Sequence, residues 1–286
     1  MQVSPKVAII QTDIKWADPI ANQQAVESAL LAYNAAESPT ANIQQPKANS
    51  QQPTSPDLYI LPEMWNTGFM ANAPIANSQE PTSPALEGLQ RLAQKLNAAI
   101  AGSMAVREGD KLYNRLYFVT PEETYFYDKR HLFSYAGEDK TFTPGGDQPV
   151  IIEWRGVRYL LQVCYDLRFP CFSRNRIQKP MANSQKPKYS YDAIIYVANW
   201  PESRRRVWDI LLQARALENQ CFVIGVNRVG DDPNCHYNGG SVVIDAKGKT
   251  LASVPDNTEG IAVADLDMQS LRTFREKFPV LRDADK

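Results

Sequence analysis

The sequence predicts an α/β layered fold, and three observations carry that prediction. Short runs of β-branched and apolar residues recur along the 286-residue chain, as expected for buried strands. Longer segments with helical periodicity are interleaved with these runs. No linker separates two self-sufficient apolar cores, so we expect one domain over residues 1–286. Strands that alternate with helices imply sheets covered by helical layers.

The first half of the chain sets out the pattern in order. A helix from about Pro19 has Asp18 before it as a plausible N-cap. Turns at 109–110 and 121–123 separate the later strands of this half. The predicted elements are a strand at 7–11, a helix at 19–36, a strand at 58–61, a helix at 84–96, and strands at 99–107, 111–120 and 124–127.

The second half continues with an apolar, β-branched strand that stops at a cysteine, Cys164. A helix is predicted from about Glu202 to Asn219, after the run that ends in Asn199-Trp200-Pro201. The predicted strands of this half are 156–163, 192–197, 221–228, 240–245 and 260–265.

A dispersed Ala-Asn-Ser-Gln-x-Pro repeat occurs at 48–53, 76–81 and 182–187. Its spacing is irregular, which excludes a solenoid because solenoid units recur at a fixed period. We interpret the copies as low-complexity loop insertions, with the longest loops at about 37–56 and 178–190.

Composition excludes several classes of function. The chain has 31 basic and 32 acidic residues, so bulk charge does not favour nucleic acid or a membrane surface as a partner. No apolar run approaches the length of a membrane span, and residues 1–6 lack the apolar core of a cleavable signal. We therefore expect a cytoplasmic protein with a small-molecule substrate. Its four cysteines, irregularly spaced and without a CxxC pair, are expected to be reduced thiols.

Three predicted strand ends carry groups suited to amide chemistry. One ends at the thiol of Cys164, one at the carboxylate of Glu63 and one at the amine of Lys129. Attack on an unactivated amide requires a nucleophile, a base and positive charge where the oxyanion develops. A free thiol has a pKa near 8.5 and a free glutamate near 4.3, so proton transfer between them costs roughly 5 to 6 kcal/mol. A nearby ammonium reduces that cost by stabilising the thiolate.

With their neighbours, these residues resemble the catalytic motifs of the nitrilase superfamily of carbon-nitrogen hydrolases. The three matching motifs are Leu61-Pro62-Glu63-Met64-Trp65-Asn66-Thr67-Gly68-Phe69, Tyr127-Asp128-Lys129-Arg130-His131-Leu132-Phe133 and Cys164-Tyr165-Asp166-Leu167-Arg168-Phe169-Pro170. The resemblance runs from Val7 to about Pro279 and places a second glutamate of the family at Glu138. It implies a four-layer α-β-β-α sandwich, and a homodimer that pairs around residues 169–172 and through a tail with Phe274 and Phe278.

The resemblance also implies a mechanism that needs no metal or other cofactor. Glu63 takes the thiol proton, Cys164 attacks the carbonyl, and Lys129 with the backbone N–H of Tyr165 holds the oxyanion. Ammonia leaves, and Glu63 then activates water to hydrolyse the thioester. Glu138 orients the amine of Lys129 or the leaving group.

Within the superfamily, the runs at 196–201 and 214–220 are most similar to bacterial omega-amidases, which hydrolyse 2-oxoglutaramate. Such a substrate has a distal carboxylate, for which a guanidinium is the best partner. Arg204 is the favoured candidate, whereas Arg168 is expected to pair with nearby carboxylates. Asn199 is expected to contact the substrate. The candidate apolar walls, each of which could equally be core, are Trp65, Phe69 and Trp200.

Other interpretations of the same residues stay open at this point. Taken singly, Cys164 fits a small core residue and Lys129 a solvated charge. A peptidase-like pair of Cys164 with His131 is a second arrangement of the nucleophile. The adjacent Cys235 and His236 make a poor metal site because two further ligands are lacking nearby.

The alternative functions belong to two classes. A hydrolase of another C–N bond, in an N-carbamoyl amino acid or an aliphatic amide, would have the same catalytic residues. A non-catalytic protein that senses oxidation through its thiol is the other class, although sensing alone would not require the two glutamates and the lysine.

Overall fold

Two six-stranded sheets form the centre of the protein, as seen in a computed structural model that describes residues 4–36, 55–70, 83–178 and 188–284. The predicted loop insertions near 37–56 and 178–190, and the repeat copy at 76–81, lie largely or wholly outside the described residues. The helices are α1 (Pro19–Ala36), α2 (Pro84–Leu96), α3 (Arg205–Asn219) and α4 (Met268–Lys277). Short 3₁₀ turns occur at Ser134–Ala136, Glu138–Lys140, Cys164–Arg168, Glu202–Arg204 and Val280–Arg282.

The first sheet has the strand order β16-β1-β2-β3-β4-β5. Its outer pairs, β16 with β1 and β3 through β5, are antiparallel, whereas β1, β2 and β3 run parallel. Its strands are β1 (Lys6–Gln11), β2 (Leu58–Ile60), β3 (Ala99–Glu108), β4 (Lys111–Val119), β5 (Thr124–Asp128) and β16 (Gly260–Asp265).

The second sheet has the strand order β15-β14-β11-β10-β7-β6, with β7, β10 and β11 parallel at its centre. Two further pairs of short strands lie outside both sheets. The sheet strands are β6 (Ile151–Trp154), β7 (Val157–Val163), β10 (Ala193–Val197), β11 (Phe222–Val226), β14 (Val242–Ile244) and β15 (Thr250–Ser253). The short pairs are β8 (Ile177–Gln178) with β9 (Lys188–Tyr189), and β12 (Val229–Asp231) with β13 (His236–Asn238).

The sheets pack face to face, and helices cover their outer faces. Along β1, Val7 and Ile9 face the core between the sheets, while Ala8 and Ile10 face α1 and α2. A strand that is buried on both faces has a continuous run of apolar residues, which explains the apolar and β-branched runs from which the strands were predicted. The buried face of α3 covers the second sheet with Trp208. This arrangement confirms the predicted α-β-β-α sandwich.

The helix starts follow from local capping. Asp18 accepts a hydrogen bond from the N–H of Ala21 at 3.0 Å, and Ser83 accepts one from Leu86 at 3.3 Å. Each cap precedes a proline at the first helical position, where the missing N–H costs nothing. No helix among the described residues is long and apolar enough to cross a membrane.

Candidate active site

Four side chains predicted from the sequence meet where strands of both sheets end. The Lys129 ammonium lies 2.9 Å from Oε1 of Glu63 and 2.8 Å from Oε2 of Glu138, and all three side chains are fully buried. The Cys164 thiol lies within electrostatic reach of Glu63, Lys129 and Glu138. A nucleophile, a cation and two carboxylates thus occupy one enclosed cluster.

The first sheet supplies the carboxylate and the amine. Beyond β2, the N–H of Met64 donates to Oγ of Ser103 at 2.9 Å, which holds the Glu63 turn against β3. Lys129 follows β5, and its backbone N–H donates to the carbonyl of Asn114 at 2.9 Å. Behind it, the N–H of Gly145 donates to the Lys129 carbonyl, also at 2.9 Å. Hydrogen bonds made by the backbone beside each residue therefore help to fix both positions.

The second sheet supplies the thiol on a sharp turn. Cys164 directly follows β7 and has a φ of 46°, a left-handed conformation that residues other than glycine seldom adopt. A 3₁₀ turn over Cys164–Arg168 begins there. Because N–H groups in the first turn of a helix have no acceptor within it, that of Tyr165 is free to donate elsewhere.

Asn114 is a site residue that sequence reasoning missed. Its Nδ2 donates to Oε1 of Glu63 at 2.7 Å and to Oε1 of Glu138 at 3.0 Å, so one amide bridges both carboxylates. A signal was available, because Asn114 is a polar residue in the middle of the apolar strand β4.

All three N–H groups of the Lys129 ammonium are engaged by carboxylate oxygens. Besides the two contacts above, Oε1 of Glu138 lies 3.1 Å from Nζ. Burial alone would lower the pKa of Lys129, but the charges of Glu138 and Glu63 outweigh burial and raise the pKa above its ordinary range. The amine is therefore a permanent cation at neutral pH.

The two carboxylates differ in what they can still accept. Glu138 receives Lys129 on both oxygens, Asn114 on Oε1 and the N–H of Phe133 on Oε2 at 2.6 Å. Burial raises the pKa of Glu138 and Lys129 opposes that effect, and four donors leave the group as a saturated anion. Glu63 receives two donors on Oε1 but only the N–H of Asn199 on Oε2, at 2.8 Å. One lone pair of Glu63 thus stays open.

The thiol rests in its protonated form. Burial is the largest effect on the pKa of Cys164 and raises it well above the ordinary value, and the carboxylate of Glu63 raises it further. The ammonium of Lys129 acts in the opposite direction without overcoming these two effects. A base must therefore remove the proton as the thiol attacks, and the open lone pair of Glu63 is suited to do so.

A cavity of about 450 Å³ opens over Cys164. Small-molecule sites are typically apolar clefts of this size with a few placed polar groups. Its aromatic lining includes Trp16, Phe69, Phe133, Tyr165, Trp200 and Tyr237.

Four of the five predicted substrate-binding residues line this cavity, namely Phe69, Asn199, Trp200 and Arg204. Phe69 also lies beneath the amine, with the centre of its ring 5.5 Å from Nζ of Lys129. Trp200 packs against Trp208, with their ring centres 5.4 Å apart. Asn199 lines the cavity and donates from Nδ2 to the carbonyl of Glu63 at 2.6 Å.

The expectation that Trp65 forms a wall of the cavity is wrong. Its side chain is 1% exposed and packs in the core beneath α1 and α2, against Gly102 of β3. Phe69, four residues later, packs instead against a separate cluster with Met64 and Leu112 and lines the cavity.

The cavity holds two guanidinium groups rather than the single one expected. Arg204 closes the 3₁₀ turn before α3 and lies 5.2 Å from the ring centre of Phe133. Arg168 lies 5.1 Å from the ring centre of Trp200 and also lines the cavity. Neither forms an ion pair with a carboxylate in the described ranges, so the expectation that Arg168 pairs with carboxylates is wrong. Both cations are available to a ligand.

His131 is engaged away from the thiol. Its Nδ1 lies 2.7 Å from Oδ1 of Asp166, and its ring stacks on Phe169 at 3.9 Å between ring centres. This position does not favour the peptidase-like alternative. Within the described segments, no group of three His, Cys, Asp or Glu side chains is arranged to hold a metal ion. Cys235 lies on the cavity rim.

Residues 6–276 match the family model of the carbon-nitrogen hydrolases. The chain belongs to the carbon-nitrogen hydrolase family. It is an enzyme that hydrolyses carbon-nitrogen bonds, and both the predicted family and the predicted enzyme class are confirmed.

Curated relatives agree with this assignment. The chain is 39% identical to the omega-amidase YafV of Yersinia enterocolitica, over 98% of this chain and 97% of that protein. It is 43% identical to the omega-amidase YafV of Escherichia coli K12, over 82% and 86% of the two chains. Identity to the 2-oxoglutaramate amidase of Bacillus subtilis is 34%, over 80% and 85%.

Solved structures share the fold. A CN-hydrolase superfamily protein from Xanthomonas campestris, with an arsenic adduct in its active site, superposes with a TM-score of 0.82 and 35% identity. The match covers 98% of this chain and 97% of that one. Nit3 of Saccharomyces cerevisiae, a nitrilase-superfamily protein, has a TM-score of 0.76 at 23% identity, with 97% and 95% covered.

Proposed function

We propose that this carbon-nitrogen hydrolase is an omega-amidase, which hydrolyses the side amide of a small dicarboxylate monoamide such as 2-oxoglutaramate. The observation that carries the proposal is that two guanidinium groups, Arg168 and Arg204, line the cavity that contains the Cys164 thiol and form no ion pair within the described part of the chain. A substrate with an amide at one end and a carboxylate at the other matches both features. Relatives named omega-amidase and 2-oxoglutaramate amidase support the same substrate.

The chemistry follows from which groups can still accept or donate a proton. The open lone pair of Oε2 of Glu63 accepts the thiol proton while the sulfur of Cys164 attacks the amide carbon. Lys129 and the backbone N–H of Tyr165 stabilise the oxyanion. The proton on Glu63 then passes to the amide nitrogen, and ammonia leaves a thioester on Cys164.

In the hydrolysis of the thioester, water is the nucleophile and the sulfur of Cys164 is the leaving group. Glu63, unprotonated again, takes a proton from a water molecule that attacks the thioester carbon, and the carboxylic acid product leaves as the thiol recovers its proton. Glu138 has four hydrogen-bond donors and no open lone pair, so it acts as the counter-ion that holds Lys129 in place.

A substrate panel tests the proposed substrate. Ammonia release would be measured for 2-oxoglutaramate, for an uncharged aliphatic amide of similar length and for an N-carbamoyl amino acid. We expect the highest kcat/KM with 2-oxoglutaramate. A preference for the uncharged amide or the carbamoyl compound would assign the enzyme to another branch of the family.

Replacement of Arg204 by Ala tests how the carboxylate is recognised. We expect KM for 2-oxoglutaramate to rise about tenfold to a hundredfold, because a charge-assisted hydrogen bond contributes about 1.5 to 3 kcal/mol. Uncharged amides should change little. Arg206→Ala is the matched control, since Arg206 is exposed at the start of α3. Equal losses on charged and uncharged amides would mean that Arg204 holds its loop instead.

We also propose that the protein is a homodimer. Phe278 in the C-terminal tail is 58% exposed, and Ile210 and Leu217 are 52% and 51% exposed on α3. Phe278 belongs to the tail through which nitrilase-like chains are expected to pair, and the two side chains on α3 are further exposed apolar groups that a second chain would cover. Light scattering coupled to size exclusion should give about twice the chain mass of 32.2 kDa. A single-chain mass at the assay concentration would contradict the proposal.

A reducing compartment, the cytoplasm, is the proposed setting for this enzyme. The nucleophile reacts only as a free thiol, and such a compartment keeps cysteines reduced.

A further inference from the structure

The carboxylate of Asp166, two residues after the nucleophile, is fully buried and accepts four hydrogen bonds. Oδ2 receives the hydroxyl of Tyr127 at 2.8 Å and the N–H of Val163 at 2.9 Å. Oδ1 receives the backbone N–H of His131 at 3.0 Å and lies 2.7 Å from its Nδ1. The acceptor capacity of this carboxylate is filled by groups from two separate segments.

These segments are the ones that carry the amine and the thiol. Tyr127 and His131 lie two residues before and two residues after Lys129, at the end of β5 in the first sheet. Val163 ends β7 in the second sheet and immediately precedes Cys164. The Tyr127 hydroxyl also accepts the N–H of Arg130 at 3.0 Å, which holds the turn after the amine. The same carboxylate therefore ties both sides of the amine to the strand that carries the thiol.

The other contacts of the amine do not provide this tie. Glu63 and Glu138 hold the Lys129 side chain, but both are carried by segments attached to the first sheet. Glu63 is joined to the second sheet through Asn199, at the end of a different strand, β10. Asp166 supplies hydrogen bonds that join the segment of the amine to the strand of the thiol, and the stacking of His131 on Phe169 adds an apolar contact between the same two segments.

We propose that Asp166 is a positioning residue, which sets the separation of Lys129 and Cys164 through Tyr127 and His131. The inference rests on the proposed function for the roles of the amine and the thiol. A cation and a nucleophile must be held to within a fraction of an ångström for efficient catalysis, and displacement by 1 Å can cost about a hundredfold in rate.

The decisive variant is Tyr127→Phe, which removes a single hydroxyl. Asp166→Asn is the direct change, but it places an N–H among four donors and is liable to unfold the protein. Tyr159→Phe is the matched control: Tyr159 is also buried in the core between the sheets, and its hydroxyl has no hydrogen-bond partner among the described residues. Both variants remove one buried oxygen atom, and only one of them touches the Asp166 carboxylate.

Two measurements separate positioning from a structural role. We expect Tyr127→Phe to lower kcat about tenfold to a hundredfold with KM within about twofold. Alkylation of Cys164 by iodoacetamide, followed on its peptide by mass spectrometry, should slow severalfold because a displaced cation stabilises the thiolate less. Tyr159→Phe should match the parent in both.

The alkylation rate needs no substrate, so it decides the proposal even if 2-oxoglutaramate is not hydrolysed by the parent enzyme. In that case the proposed function fails and the positioning role is still tested. If Tyr127→Phe lowers only the melting temperature, and leaves kcat and the alkylation rate equal to those of Tyr159→Phe, then Asp166 is structural and the proposal is overturned.

Discussion

Replacement of Cys164 by Ala is expected to reduce amide hydrolysis by roughly four orders of magnitude or more, because the covalent path loses its nucleophile. The fold should persist, since the 3₁₀ turn that begins at Cys164 is held by the hydrogen bond from the N–H of Val163 to Asp166 and by its own backbone contacts. Cys164→Ser should be nearly inactive as well. Its hydroxyl is far harder to ionise than a thiol, and the neighbouring carboxylate already opposes ionisation.

Cys235→Ala is the matched control, because Cys235 lines the same cavity and has neither Glu63 nor Lys129 beside it. Its activity should stay close to that of the parent. Mass spectrometry during turnover should find an acyl adduct on Cys164 and on no other cysteine. Residual activity of Cys164→Ala within tenfold of the parent would exclude the covalent mechanism.

Glu63→Gln is expected to lower kcat by about two to four orders of magnitude, the usual contribution of a positioned general base. The amide that replaces the carboxylate has no basic oxygen for the thiol proton. It also brings an N–H₂ group among three donors, namely Lys129, Asn114 and the N–H of Asn199. Steady-state kinetics with circular dichroism would separate loss of the base from loss of the fold.

Lys129→Met should lower the rate by a similar amount through loss of the oxyanion charge. It also leaves two fully buried carboxylates without their cation, a change that costs about 3 to 5 kcal/mol of stability in buried ion pairs. His131→Asn is the comparison, because it keeps the backbone N–H that donates to Asp166 and loses only the contact of Nδ1, so the rate should fall much less than with Lys129→Met. If His131 proved as essential as Glu63, a peptidase-like assignment would replace this one.

The sequence predicted the elements whose local signals are strong. α1 and α2 begin at Pro19 and Pro84 as predicted, since a capping residue precedes each proline. The strand ends at Lys129 and Cys164 were predicted from apolar runs that stop abruptly. By contrast, α4 was missed because its residues are mostly charged or polar and only Leu271 and Arg275 are buried. The short strands β6 and β15, with partly exposed side chains, carry a similarly weak pattern.

Within the site, sequence motifs placed the side chains that react but not those that hold them. Asn114 stands out as a polar residue in an apolar strand, and Asp166 belongs to the cysteine motif, but both act through contacts with segments distant in sequence, and no local pattern names those partners. The errors at Trp65 and Arg168 have the same origin. Whether a side chain faces the cavity depends on how the turns after Glu63 and Cys164 redirect the chain, and the motifs themselves do not specify that direction.

The saturated ammonium of Lys129 has a thermodynamic consequence for catalysis. With three N–H groups already donated to carboxylates, it can bind an oxyanion only by exchanging one bond for another. The longest of the three, 3.1 Å to Oε1 of Glu138, is the one most easily surrendered, because that oxygen keeps the N–H of Asn114. The barrier is therefore lowered only by the difference in strength between the hydrogen bond that Lys129 makes to the oxyanion and the one that it gives up to Glu138. In the resting enzyme, Glu138 competes with the oxyanion for the ammonium.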